Sequence, residues 1–272
     1  MEVTLLGTGD TTGTPTPGCR CDTCRTARER DVERTRFSVH VRNEITGESL
    51  LIDASPDFRH QFLRESVPLP DEILVTHIHF DHLDGLGNAY RLLEDTPVHA
   101  ANETDPETGE SVAETVARKY DYLEAITAVG HRPGDPFEAC GFDVRLIPVV
   151  HPPLVCYGVV IESADATLAI TGDTNYAIPD ASREAFRGAD LLLADGIVPA
   201  SLCEYHPLGG DHHDEAGVPR TFGTKHMTTE GAVSLAEELD VAQFRVVHVS
   251  HFAGPEEAFG DPLAVDGEYY DL

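Results

Sequence analysis

The sequence predicts a layered α/β fold, and three observations carry that prediction. Short apolar runs of strand length alternate with stretches whose apolar residues recur at helical spacing, the rhythm of sheets covered by helices. Six of the apolar runs end in a residue able to ligate a metal: LLID at Asp53, ILVTH at His77, LIPVVH at His151, LAITGD at Asp173, LLLAD at Asp195 and RVVH at His248. Strand ends of layered α/β proteins are where loops gather ligands into one cleft, so these endings point to a single site. Finally, 272 residues of which 41% are hydrophobic can bury a sizeable core, so disorder is not the default.

In chain order, Val3–Gly7, Phe37–Arg42 and Ser49–Asp53 read as strands, each a short apolar or alternating run. Pro56–Glu65 follows with helical spacing, then strands at Glu72–Thr76 and Thr96–Ala100 and a helix at Ser111–Tyr120. The second half repeats the rhythm. Strands fall at Phe142–Val150, Tyr157–Glu162, Thr167–Thr171, Leu191–Ala194 and Phe244–Val249, with helices at Ser182–Arg187 and Thr228–Glu238. No tandem repeat, low-complexity linker or break in composition divides the halves, so residues 1–272 are read as one domain.

Charge is the most unusual bulk property. Asp and Glu number 48 against 19 Lys and Arg, for a formal net charge of −29, and Lys119 and Lys225 are the two lysines. Such self-repulsion weakens a compact state unless salt screens it, and the Debye length shrinks to about 3 Å at about 1 M salt. A halophilic source is the simplest explanation. The same charge speaks against an ordinary nucleic-acid binder, which needs a basic footprint on the phosphates. Any phosphate-bearing substrate must then be drawn in by metal ions. The opening MEVTLLGTGD lacks the basic start of a secretory or transit peptide, and no run approaches the roughly 20 apolar residues of a membrane span. The expected location is the cytoplasm.

The densest chemistry lies in THIHFDHLDGL, Thr76 to Leu86. Three imidazoles and a carboxylate follow a strand directly, a donor set suited to zinc, iron or manganese. His77 and His79, two apart on a turn, can reach one ion, and the adjacent Asp81 and His82 can turn to a second. The pattern HxHxDH resembles the signature of the metallo-β-lactamase superfamily, and the resemblance spans essentially the whole chain. It implies a four-layer αββα sandwich with two divalent catalytic ions, zinc or manganese, at one edge of paired sheets. It also implies that His151 completes the first ion's ligands, that Asp173 bridges, and that His248 completes the second ion's set. Asp53 is placed as the acceptor that orients a ligand histidine, with N-capping of the helix near Pro56 as the alternative.

A second cluster, PGCRCDTC, crowds Cys19, Cys21 and Cys24 into one short segment. Without a secretion signal, a metal site is a better reading than a disulfide framework. Three thiolates leave a tetrahedral zinc one ligand short, and His251, three residues beyond His248, is the candidate fourth. This arrangement resembles the phosphoribosyl cyclic phosphate phosphodiesterases of the carbon–phosphorus lyase pathway, and the resemblance implies a structural zinc there. Cys140, Cys156 and Cys203 read as buried apolar thiols.

In KHMTTEGAVSLAEEL the same resemblance gives His226 the role of general acid, for which an imidazole titrating near neutrality is suited. Asp81 and His226 are thus the candidate catalytic residues. The reaction expected is hydrolysis of a small phosphodiester, cyclic ones included. The rivals are tRNA 3'-end endonuclease and thioester or lactone hydrolysis on the same fold, and, outside enzymes, a metal-binding partner protein. The expected partner is a small phosphodiester rather than nucleic acid or a membrane, with homodimerisation left open. The long loop from Gly196 to Lys225, with His206, Asp211, His212, His213 and Asp214, reads as an acidic surface loop with a lid as the alternative. Arg59 reads as a helix-surface residue, with a phosphate contact as the alternative.

Overall fold

Residues 1–207 and 220–272 are described by the computed structural model of the protein. The first half runs β1 (Glu2–Gly7), α1 (Asp22–Arg30), β2 (Ser38–Arg42), β3 (Ser49–Ile52), α2 (Phe58–Glu65), β4 (Glu72–Leu74), α3 (Phe80–Leu83), β5 (Thr96–Ala101), α4 (Val112–Lys119) and β6 (Ile126–His131). The second runs β7 (Phe137–Ala139), β8 (Phe142–His151), β9 (Leu154–Glu162), β10 (Thr167–Ile170), α5 (Asp180–Phe186), β11 (Leu191–Asp195), β12 (Thr221–Phe222), β13 (His226–Met227), α6 (Thr229–Leu239), β14 (Gln243–Val247) and β15 (Tyr269–Asp271). Two large sheets result, in the orders β15-β1-β2-β3-β4-β5-β6 and β14-β11-β10-β9-β8-β7, and β12 pairs with β13 in a two-stranded sheet of its own. Helices α2 and α4 pack on the first sheet, α5 and α6 on the second, which is the αββα sandwich.

Alternation along the strands decides which layer each residue serves. Leu168, Ile170, Leu191 and Leu193 join the central core with Val39, Val41 and Leu51 of the first sheet. Their neighbours Ala169, Leu192 and Ala194 point the other way, onto Phe186 of α5 and Ala232, Leu235 and Leu239 of α6. Every strand and helix expected from the sequence is present, with ends shifted by a few residues. The Ser111 side chain caps α4 in a box with Glu114, and the Thr228 hydroxyl caps α6.

Helix α1 was not expected. Its buried face is only Thr23, Cys24 and Ala27, so it shows no apolar stripe, and the Cys21 sulfur accepts the Cys24 N–H at its start. The edge strands β6, β7 and β15 were also missed, being short or half-exposed with little apolar pattern.

Strand direction explains the six metal-capable endings. Strand β8 is antiparallel to β9 and β9 to β10, while β10, β11 and β14 are mutually parallel. So β8, β10, β11 and β14 all run the same way and discharge His151, Asp173, Asp195 and His248 at one edge. In the first sheet β3 and β4 are parallel and bring Asp53 and His77 to the same place. Among the described residues no helix is long and apolar enough to cross a membrane.

Candidate metal centre

Three backbone features turn the strand ends inward. Asp53 and His248 adopt positive φ, 58° in each case, a conformation that costs energy outside glycine and persists where the surroundings enforce it. Gly172, just before Asp173, has φ of 61°, and a Cβ there would come 2.6 Å from the Tyr157 carbonyl oxygen, so no other residue fits.

The sequence-expected ligands fall into two adjoining groups, His77, His79, His151 with Asp173, and Asp81, His82 with His248. In the first, His77 Nε2 lies 2.9 Å from His79 Nδ1, and His151 Nε2 lies 3.2 Å from the same atom. In the second, His82 Nε2 and His248 Nε2 each lie 3.7 Å from Asp81 Oδ2. Asp173 Oδ2 joins them, 3.7 Å from His77 Nε2 and 3.4 Å from both His82 Nε2 and His248 Nε2. One oxygen thereby serves both groups.

Hydrogen bonds behind the histidines fix which nitrogens face inward. Thr76 Oγ1 donates to Asp53 Oδ2 at 2.8 Å, so it accepts from His77 Nδ1 at 3.0 Å. His82 Nδ1 donates to Asp53 Oδ2 at 2.6 Å, and His151 Nδ1 donates to the Lys225 carbonyl at 2.9 Å. With those protons committed outward, the inward Nε2 atoms of the neutral His77 and His151 carry lone pairs. Both lone pairs point at His79 Nδ1, at 2.9 and 3.2 Å, where a single N–H could serve one of them, whereas a cation among the three nitrogens satisfies all. Tetrahedral bonds of about 2.0 Å to nitrogen give N···N edges of about 3.3 Å, close to the spacing found. The buried Nε2 atoms of His82 and His248 have no hydrogen-bond partner. These residues therefore fit divalent ions. Burial holds the His77 and His151 imidazoles well below their ordinary pKa, His151 at about 3, so both are neutral and able to ligate. Burial opposes charge on Asp173, yet His248 and His82 beside it hold its carboxyl well below the usual carboxylate range.

His226 on β13 stands beside both groups, its ring 4.9 Å from His151 and stacked 5.1 Å from His248. Its Nδ1 donates to Asp195 Oδ2 at 2.9 Å. The sequence reading placed Asp195 at a strand end without giving it this role, although that ending was the signal. It also missed Thr11, whose hydroxyl donates to Asp81 Oδ2 at 2.6 Å. Asp53 orients His82 rather than capping α2, whose N-cap is Asp57.

The thiol cluster assembles as expected. His251 Nδ1 lies 3.5, 3.4 and 3.5 Å from the sulfurs of Cys19, Cys21 and Cys24. Bonds of about 2.3 Å to sulfur and about 2.0 Å to nitrogen give a tetrahedral zinc S···N edges of about 3.5 Å, the spacing observed. Cys140, Cys156 and Cys203 are buried free thiols.

Arg59 is exposed on α2, and His206 is buried against Phe222 and Phe252. Asp211, His212, His213 and Asp214 lie outside the described residues. A 690 Å³ concavity lined by Arg28, Glu33, His60, Arg64, Glu65 and Asp266 is larger than the space beside Asp173. Glu33, His60, Arg64, Glu65 and Asp266 are paired among themselves and Arg28 donates to the Cys24 carbonyl, so volume does not locate the chemistry here.

Over residues 48–249 the chain matches the β-lactamase superfamily domain. An octanoyltransferase of Porphyromonas gingivalis is 27% identical over 257 residues, a match that takes in 93% of this chain and 46% of the relative, so the chain spans about half that relative's length. The coenzyme PQQ synthesis protein B of Methylobacterium radiotolerans is 26% identical over 305 residues, covering 98% of this chain and 95% of the relative. Among solved structures, a diphosphatase from the PhnP family superposes with a TM-score of 0.76 at 30% identity, covering 100% of this chain and 97% of that one. Zinc-bound PqqB from Methylobacterium extorquens superposes with a TM-score of 0.79 at 23% identity over 100% of both chains, a likeness of fold. With residues 48–249 matched to that domain and the sandwich carrying its ligands at one edge, the chain belongs to the β-lactamase superfamily and has the metallo-β-lactamase fold.

Proposed function

We propose that the chain is a metal-dependent phosphodiesterase that hydrolyses a small phosphodiester, cyclic ones included. The observation that carries the reading is the His226–Asp195 pair beside the two ligand groups. Zinc or manganese ions held by His77, His79, His151, Asp81, His82, His248 and Asp173 would supply Lewis acidity toward phosphate oxygens and lower the pKa of water at the site.

The chain's own residues do the rest. The Asp195 carboxylate accepts from Nδ1 of His226 and fixes the ring, so that the imidazolium would present Nε2–H to protonate the departing ester oxygen as the P–O bond breaks, while the water oxygen bonds to phosphorus and its proton passes to solvent. Asp53 and Thr76 keep the rings of His82 and His77 turned inward. The likeness to a PhnP-family diphosphatase supports phosphorus as the centre attacked. The net charge of −29 favours a small substrate over tRNA, and the likeness to the human tRNase Z short form, at 18% identity and a TM-score of 0.68, is one of fold alone.

Turnover of bis-p-nitrophenyl phosphate in high salt with manganese or zinc tests the reading. Hydrolysis that disappears with chelator supports it and excludes an inert scaffold. Activity confined to thioesters or lactones overturns it.

A further inference from the structure

We propose that Thr11 is a positioning residue that holds the Asp81 carboxylate on the second metal position, and that the site of Cys19, Cys21, Cys24 and His251 sets Thr11 in place. The proposal rests on the metal reading above. Thr11 is exposed, yet its hydroxyl donates at 2.6 Å to Oδ2 of the buried Asp81, the same oxygen that faces His82 and His248. Beside the His82 and His248 nitrogens at 3.7 Å, the Thr11 hydroxyl is the short contact to that carboxylate among the described residues, so its removal loosens the orientation of Asp81.

A continuous set of contacts ties Thr11 to the thiols. The preceding Asp10 closes a tight turn, its Oδ1 accepting from the N–H groups of Thr12 and Gly13 at 3.1 and 3.0 Å. Gly13 has φ of 67°, and a Cβ there would come 2.9 Å from the Arg34 carbonyl oxygen. The Gly13 carbonyl accepts from the Thr16 hydroxyl at 2.6 Å, and the Thr16 N–H donates to the Cys24 sulfur at 3.4 Å. On the other side, the Asp10 N–H donates to the Val249 carbonyl and the Val249 N–H to the Thr8 carbonyl. Val249 lies between His248, of the second metal group, and His251, of the thiol site. Cys19, Cys21, Cys24 and His251, joined through a zinc ion, would pin both sides of this connection. Among the described residues the group of His77, His79 and His151 has no such link, so the two catalytic positions should respond differently.

The test is metal content per chain across a series of buffered free-zinc concentrations, with cobalt substitution to read the thiolate absorption of the Cys site separately. In Thr11→Val, one ion per chain should bind about 10–100-fold more weakly, the range for partners that orient a ligand. The thiolate signal and the other catalytic ion should persist, and Thr11→Ser should restore the wild-type profile. Cys21→Ser should weaken that same ion along with the thiolate site. A Thr11→Val protein that keeps every affinity, or a Thr11→Ser protein as weak as the valine variant, overturns the proposal while leaving the metal reading intact. A wild-type chain that binds no ion at the histidines overturns both.

Discussion

His226 and Asp195 meet across 2.9 Å, both buried, with Asp195 at the end of β11 in the second sheet and His226 at the start of β13 in the separate β12–β13 pair. Asp195 also accepts the Thr174 N–H at 2.9 Å, so its carboxylate cannot turn away from the imidazole without stranding a buried donor. Asp195→Asn should therefore keep the fold but lower kcat for bis-p-nitrophenyl phosphate by about 10²–10⁴, the span general acid catalysis covers, as should His226→Ala. Unequal losses, with Asp195→Asn near wild type, would separate the pair and remove His226 from the proton-transfer role.

Asp53 gives a second test, because its two oxygens serve three donors: the Thr76 N–H, the Thr76 hydroxyl and His82 Nδ1. Asp53→Ala leaves His82 unoriented and a buried N–H unpaired, so metal affinity should fall about 10–100-fold and stability by about 1–3 kcal/mol. Calorimetric titration of chelator-stripped protein with zinc or manganese reads the first effect, and denaturant titration of the stripped protein reads the second. Alanine at His79 or Asp173 should abolish turnover outright, since each removes a donor that no neighbour replaces.

Much of this site was legible in the sequence because strand ends announce themselves. An apolar run followed by a lone His or Asp marks where a strand stops and a ligand begins, and the common direction of β8, β10, β11 and β14 then gathers those residues without further information. What stayed hidden depends on contacts between side chains far apart in the chain. Thr11 reaches Asp81 across 70 positions, and Asp195 reaches His226 across 31. Helix α1 was hidden for a different reason: its stability comes from Cys24 and the thiol cluster, and cysteine writes no apolar period. The branch within the superfamily lies in the substrate-binding surface rather than in the metal cage, which relatives of different chemistry share.

His40 carries a pH prediction. It is buried in β2 with its ring edge against Phe62, and burial pulls its pKa from the model-peptide 6.5 to about 4. The unfolded chain therefore binds a proton between about pH 6.5 and about pH 4 that the folded chain refuses. The contribution is complete above pH 6.5 and is lost as the pH falls toward 4, worth about 3 kcal/mol over that window. His40→Asn removes the titration. Denaturant titrations at several pH values should show a shallower acid slope for the variant, and equal slopes would clear His40 of the effect.

The net charge of −29 makes a prediction about salt. Lys119 is ion-paired with Asp84, and most carboxylates have no basic partner because 48 acids face 19 Lys and Arg. Repulsion among them acts over a Debye length of about 30 Å at 0.01 M salt, the size of a domain, and over about 3 Å at 1 M, less than the spacing of most surface charges. Raising KCl across that range should raise Tm, by about 2–4 °C for each 1 kcal/mol of repulsion relieved. An uncharged osmolyte at matched osmolality should not reproduce the steep early part of the rise, because exclusion from the surface does not screen charge. Thermal melts in both series decide the matter: parallel curves would show that the acidic surface is tolerated rather than tuned to salt.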